Sequence, residues 1–224
     1  MEILYEDSSV IVVIKPQGML SQADKNGGES MITKLQNHTG GEIYPVHRLD
    51  KETGGVMVYA KTKEAAAKLC RDISEYRFYK EYLALVHGVP EKESDTLCDL
   101  LFHDRTKNKS YLVKRARGGV KKAELEYRLL ETKEIDGETY SLLSIVLHTG
   151  RTHQIRVQFG GRKMPLSGDR KYGAQDNCKA LGLWAVKLKF THPETGQVLE
   201  FKAEKEFEQI KQTVKNIRYT TLEL

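Results

Sequence analysis

Two runs rich in branched and apolar residues, 123–131 and 140–147, flank Ile135-Asp136-Gly137-Glu138, and this arrangement limits the fold more than any other feature of the chain. An Asp-Gly pair readily adopts the left-handed backbone of a two-residue hairpin loop, so the runs are expected to pair as antiparallel strands. The same logic recurs along the chain. Residues 3–5 and 10–14 read as a hairpin turned by Asp7-Ser8-Ser9 and stopped by Lys15-Pro16-Gln17-Gly18. Residues 56–60, the FYKEYLALVHG run, 184–190 and 198–202 also read as strands.

Helices come singly. Met31, Ile32 and Leu35 have helical spacing before Gly40-Gly41, Thr62 is placed to cap KEAAAKLCRDISEY, and a short helix is expected over about 152–159. A last amphipathic helix is expected over 206–219, with Phe207, Ile210, Val214 and Ile217 on one face. Strand-rich segments with isolated helices predict an α+β fold, with a mixed, largely antiparallel central sheet and flanking helices. With 224 residues and no repeat or linker tract, the chain is expected to form a single domain, 1–224.

The 36 Lys+Arg against 31 Asp+Glu give only +5, so the distribution of charge matters more than its sum. Between Arg105 and Lys122 stand eight basic residues and no acidic one, among them Arg115, Arg117 and Lys121. Such a run suits a phosphate backbone. Cys70, Cys98 and Cys178 are odd in number and widely spaced, which argues against a disulfide framework or thiolate zinc site. The acidic amino terminus and short apolar runs fit neither a signal peptide nor a membrane span, so a cytoplasmic protein is expected, with monomer as the default.

Four segments hold chemistry-bearing residues. In VHRLDKETGGVMVYAKT, Asp50 lies among His47, Arg48 and Lys51. Nearby cations favour an ionised carboxylate, as a nucleophile requires, yet Asp before Lys-Glu-Thr-Gly-Gly is also an ordinary turn. In LHTGRTHQIRVQF, a strand runs into a helix that carries Arg151, His153, Gln154 and Arg156 in its opening turns. This reads either as an anion site, with Arg156 able to reach a carboxylate on a facing loop, or as a solvated basic helix. His148 and His153 match no metal-ligand spacing, and no metal is expected. Phe78, Tyr79 and Tyr82 beside Lys80 offer a surface for base stacking or merely a packed strand, and MPLSGDRKYG reads as a rigid structural turn. No phosphate-binding loop, dinucleotide fingerprint or serine-hydrolase elbow occurs, so neither a nucleotide nor any other cofactor is expected.

Taken together and in order, these segments resemble the RluA family of RNA pseudouridine synthases. The family's H-R-L-D-x-x-T-S-G pattern is matched at 47–55, K-x-Y-x-A-x-V-x-G at 80–88, T-G-R-x-H-Q-[IL]-R at 149–156, G-D-x-x-Y-G at 168–173 and K-P-x-G at 15–18. Gly54 stands in place of the usual serine, Gln158 and Trp184 in place of frequent histidines, and Met164-Pro165-Leu166 varies the loop before Gly168. The resemblance implies the pseudouridine-synthase fold with a central RNA-binding cleft, and a cofactor-independent isomerisation of uridine in ribosomal or transfer RNA. It implies catalytic roles for Asp50, Tyr82 and Arg156. Asp50 would be a nucleophile or a base, Arg156 its partner, and Tyr82 a platform for the flipped uracil.

RNA contacts are expected from His47, Arg48, Arg151, His153 and Gln154 and from the run holding Arg115, Arg117 and Lys121. His47, His153 and Gln154 have bracing of the motif loops as an equal alternative. A non-catalytic RNA-binding protein or chaperone on the same fold is the competing reading.

Overall fold

The computed structural model describes residues 1–23, 27–135 and 137–203. The expected helix over 206–219 lies outside the described residues. In chain order the elements are β1 (Glu2–Glu6), β2 (Val10–Lys15), α1 (Met31–Thr39), β3 (Tyr44–Pro45), β4 (Gly54–Ala60) and α2 (Lys63–Ser74). They continue with β5 (Tyr79–His87), β6 (Ser94–Asp104), β7 (Lys109–Val113), β8 (Val120–Ile135), β9 (Glu138–Leu147), α3 (Gln154–Gly160), β10 (Leu183–Thr191) and β11 (Val198–Lys202).

All strands join one sheet in the order β1-β2-β4-β10-β5-β9-β8-β6-β7, with β3 added to β4 and β11 to β10. The β4–β10 pair is parallel and every other pair antiparallel. The expected mixed, largely antiparallel sheet is therefore present. The β8–β9 hairpin is longer than its sequence signal and closes with Ile135 opposite Glu138, Gly137 having φ +80° as its loop requires.

Each helix covers part of a face. Met31 and Leu35 of α1, and Ile155 and Phe159 of α3, pack with Ile11, Met57, Tyr82 and Leu143 on one side of the sheet. Ala65 and Leu69 of α2 pack with Val12, Val58, Trp184 and Phe190 on the other. Because β2 and β4 are covered on both faces, they are continuous apolar runs rather than alternating ones. Ser30 and Thr62 cap α1 and α2 by accepting the Thr33 and Ala65 amide N–H groups. Strands β6 and β7 were not anticipated. Part of the basic run is thus a strand, whose Ser110 hydroxyl reaches the carbonyl of Thr152 at 2.6 Å and ties β7 to the start of α3. Among the described residues no helix is long and apolar enough to cross a membrane.

Candidate active site

The sheet brings three separated segments to one cleft. Asp50 lies in the loop before β4, Tyr82 lies on β5, and Arg156 lies on α3, reached through the connection that follows β9. A cleft of about 530 Å³ is lined by these three residues together with Arg48, Arg151 and His153.

The loop carrying Asp50 is fixed from below. Lys15, wholly buried at the end of β2, donates to the carbonyls of Pro16 (3.0 Å), Met19 (2.7 Å) and Lys51 (3.2 Å). Gly18 N–H also donates to Lys51 O, at 2.8 Å. Burial lowers the Lys15 pKa to about 8, although the charges of Asp50 and Glu52 pull the other way. The Lys-Pro-x-Gly segment is therefore a brace for the Asp50 loop. Beyond Asp50 the chain enters β4 through Gly54 and Gly55, which lie against Trp184 and Ala185 of the parallel strand β10. A Cβ at position 55, where φ is +124°, would stand 2.2 Å from the Ala185 carbonyl oxygen, so only glycine permits this approach.

Arg156, 5% exposed, connects two carboxylates. Its Nε and Nη2 donate to Asp169 Oδ2 and Oδ1 at 2.7 and 2.8 Å, a two-pronged pairing that fixes the guanidinium plane. Its remaining Nη1 donates to Asp50 Oδ2 at 3.3 Å. Burial opposes the arginine's charge, but the hydrogen bonds and charge of Asp169, followed by the charges of Asp50 and Glu52, raise its pKa overall. Tyr82 is 5% exposed, and burial, reinforced by the negative charge of Asp50, raises its pKa and keeps the phenol neutral.

His153 takes the left-handed conformation, φ +54°, where α3 begins. Its Nδ1 lies 2.9 Å from the Tyr172 hydroxyl and its Nε2 3.8 Å from Asp50 Oδ2. The Tyr172 oxygen also accepts from Ser110 N–H at 2.8 Å, which ties the His153–Tyr172 pair to β7. Burial and the positive charge of Arg156 lower the His153 pKa to about 3, so the ring is neutral.

The remaining expected site residues divide by geometry. Gln154 is buried, and its amide is used internally: Oε1 accepts from Thr149 Oγ1 (2.7 Å) and Arg151 N–H (3.0 Å), while Nε2 donates to Glu124 O (3.1 Å). The half-buried His47 accepts Val58 N–H at Nε2 (3.2 Å), and burial with the charge of Lys80 lowers its pKa to about 3. Both side chains thus have hydrogen-bond partners within the protein. Arg48 is exposed at the cleft rim, and Arg151 lines the cleft while its Nε donates to Lys122 O at 2.8 Å. Arg115, Arg117 and Lys121 are exposed but do not line the cleft, and Arg117 lies over the Phe102 ring at 5.2 Å. At the start of α3, Arg156 reaches a carboxylate on the facing loop, that of Asp50, as one of the two expected readings has it. That helix is short, begins at Gln154 and is buried, and the Arg151 amide is already taken by Gln154.

The aromatic residues around β5 do not form one shared surface: Phe78, which precedes the strand, packs in the core beside Phe190, whereas Tyr82 lines the cleft. The segment read as a purely structural turn, in contrast, supplies Asp169 and Tyr172. The proximity of Gly-Asp to Arg156 in sequence was the available signal, but it does not reveal which carboxylate Arg156 holds.

A family model described as RNA pseudouridylate synthase matches residues 9–160. The tRNA pseudouridine synthase C of Pasteurella multocida is 32% identical over 219 residues, covering 88% of this chain and 88% of that protein. The ribosomal large subunit pseudouridine synthase D of Haemophilus influenzae is 33% identical over 229 residues, covering 91% of this chain and 67% of that protein. Among solved structures, Human RNA Pseudouridylate Synthase Domain Containing 1 superimposes with a TM-score of 0.75 at 24% identity, covering 90% of this chain and 82% of that one. Domain Containing 4 gives 0.74 at 22% identity, covering 95% and 92%, and both show the same fold. The ordered motifs, the shared fold and the relatives' identity over most of their length agree: the chain belongs to the RNA pseudouridylate synthase family, in its RluA branch.

Proposed function

We propose that this protein isomerises selected uridines of transfer or ribosomal RNA to pseudouridine, with Asp50 as the carboxylate that carries the chemistry. The reaction breaks the bond from uracil N1 to ribose C1′, turns the base, forms the bond from C5 to C1′, releases the C5 hydrogen as a proton and leaves N1 protonated, so that substrate and product are isomers. The single observation that carries the reading is the placement of Asp50 in the cleft, with its Oδ2 held 3.3 Å from an Arg156 whose plane Asp169 fixes. A carboxylate oriented in this way is prepared to attack the ribose or the base, or to remove a ribose proton, without first reorganising.

The target base must leave its stack to reach Asp50, and Tyr82 offers a neutral aromatic ring against which it rests. Arg48, exposed at the rim, is suited to occupy the space the base vacates. Arg151 and His153 line its path, while His47 and Gln154 act by holding the loops. The exposed run containing Arg115, Arg117 and Lys121 carries RNA phosphates outside the cleft. Activity is proposed to need no nucleotide cofactor. The relatives named for transfer RNA and for the large ribosomal subunit support both RNA classes as substrates.

The test is release of tritium from RNA labelled at uridine C5. Release by the wild type and none by Asp50→Asn supports the assignment. Equal release by both removes Asp50 from the chemistry, and release by neither, with RNA still bound, would favour a non-catalytic RNA-binding protein.

A further inference from the structure

The chain holds two buried lysines near the cleft, and their surroundings differ. Lys15 is enclosed by three carbonyl acceptors. Lys80, on β5 two residues before Tyr82, is 7% exposed, and among the described residues its ammonium has neither a hydrogen-bond acceptor nor a carboxylate partner. The stem is buried while the Nζ stays open to the adjoining space, so the ammonium lacks the protein partner that usually offsets such burial. Burial lowers its pKa to about 8, with no neighbouring acid to oppose the shift.

The ammonium is directed toward a cavity. Its Nζ lies 3.7 Å from the place a Cβ would take at Gly150, at the junction between the Asp50 cleft and a second cavity of about 980 Å³. The two spaces share Arg48, Tyr82, Gly150 and Arg151, and the second adds Lys80 and His148. Among the described residues no aspartate or glutamate lines the second cavity, although His148 at its edge is paired with Glu126 at 2.9 Å. Arg48, Arg151 and Lys80 around a space that no described carboxylate lines, the lysine buried and without a partner among the described residues, form a seat for an anion that reaches the Asp50 cleft directly.

Resting on the function proposed above, we infer that this cavity receives the phosphate of a nucleotide adjoining the target uridine, with Lys80 Nζ as its anchor. The geometry suits the chemistry. A flipped uridine occupying the cleft draws its neighbouring backbone to the cleft wall, and Lys80 gives up no protein partner in taking a phosphate oxygen.

The test compares wild type with Lys80→Met, which keeps the stem and removes the charge, using bulk transfer RNA and inorganic sulfate as probes. In sodium chloride the variant is expected to be no less stable than the wild type, because it removes a charge without a partner among the described residues. Exchanging chloride for sulfate at matched ionic strength raises the thermal midpoint of the wild type by more than that of the variant. Binding of bulk transfer RNA weakens roughly tenfold in the variant, and the slope of log affinity against log salt falls by about one. Lys80→Gln gives the same differences and serves if the methionine variant does not fold. Equal affinity, salt slope and sulfate response in wild type and variants would overturn the inference alone. A sulfate response lost in the variants, with no RNA bound or modified by the wild type, would leave the anion seat standing and overturn the functional reading on which its RNA assignment rests.

Discussion

The indole of Trp184 occupies the space that a side chain at Gly54 would need. A Cβ built at position 54 lies 2.0 Å from the indole Cζ3, and the two residues are paired neighbours on the parallel strands β4 and β10. The indole is 5% exposed and anchored by its Nε1, which donates to Ala203 O at 2.9 Å. Two departures from the family pattern that are 130 residues apart in sequence (Gly54 and Trp184, 184 − 54) are therefore one packing event.

Gly54→Ser is expected to lower stability by about 1–3 kcal/mol through overpacking. Trp184→His opens space at the same point, so the double substitution should cost less than the sum of the single ones. Urea unfolding of the four proteins measures the coupling, and simple additivity would mean that the two positions do not compete for space.

Asp169→Asn should damage both stability and chemistry. Asp169 is 1% exposed and accepts two prongs of the buried Arg156, so an amide in its place leaves the guanidinium undercompensated. Removing one member of a buried pair costs about 3–5 kcal/mol. The tritium-release rate at saturating RNA should fall more than tenfold, because Arg156 loses the fixed plane that directs Nη1 at Asp50. Chemical denaturation and single-turnover kinetics check the two effects separately. An unchanged midpoint together with an unchanged rate would remove Asp169 from both roles.

Acid should destabilise the protein from near neutrality downward. Folding holds the pKa values of His47 and His153 down to about 3, whereas a histidine in the unfolded chain titrates near roughly 6.5. Below that value the unfolded chain takes up protons that the folded protein refuses. The stability due to these two rings is thus complete above pH ~6.5 and is lost as the pH falls toward about 3, at up to about 1.4 kcal/mol per pH unit for each. His47→Gln retains an acceptor for Val58 N–H but cannot titrate, so its stability should fall less steeply between pH ~6 and ~4.5. Urea midpoints measured across that window decide the matter, and an identical slope in variant and wild type would contradict the assignment.

What the sequence determined by itself is local or ordered along the chain. Turn chemistry and runs of branched residues located the β1–β2 and β8–β9 hairpins, helical spacing before Gly40-Gly41 located α1, the Thr62 cap located α2, and the order of motifs marked Asp50, Tyr82 and Arg156. Strand β6 escaped because its buried Leu97 and Leu101 are four apart and interrupted by Asp99, a helix-like spacing in a half-exposed strand. Only the tertiary structure decided partnership. It brought Asp169 under Arg156, packed Phe78 and Tyr82 in cores on opposite faces of the sheet, turned Gln154 inward, and left Lys80 buried at a cavity with no counter-charge among the described residues. Turn, cap and strand preferences depend on neighbouring residues and can be read from the chain alone. Pairing, burial and the uncompensated charge of Lys80 depend on which distant segments the sheet brings together, and that is a property of the folded molecule.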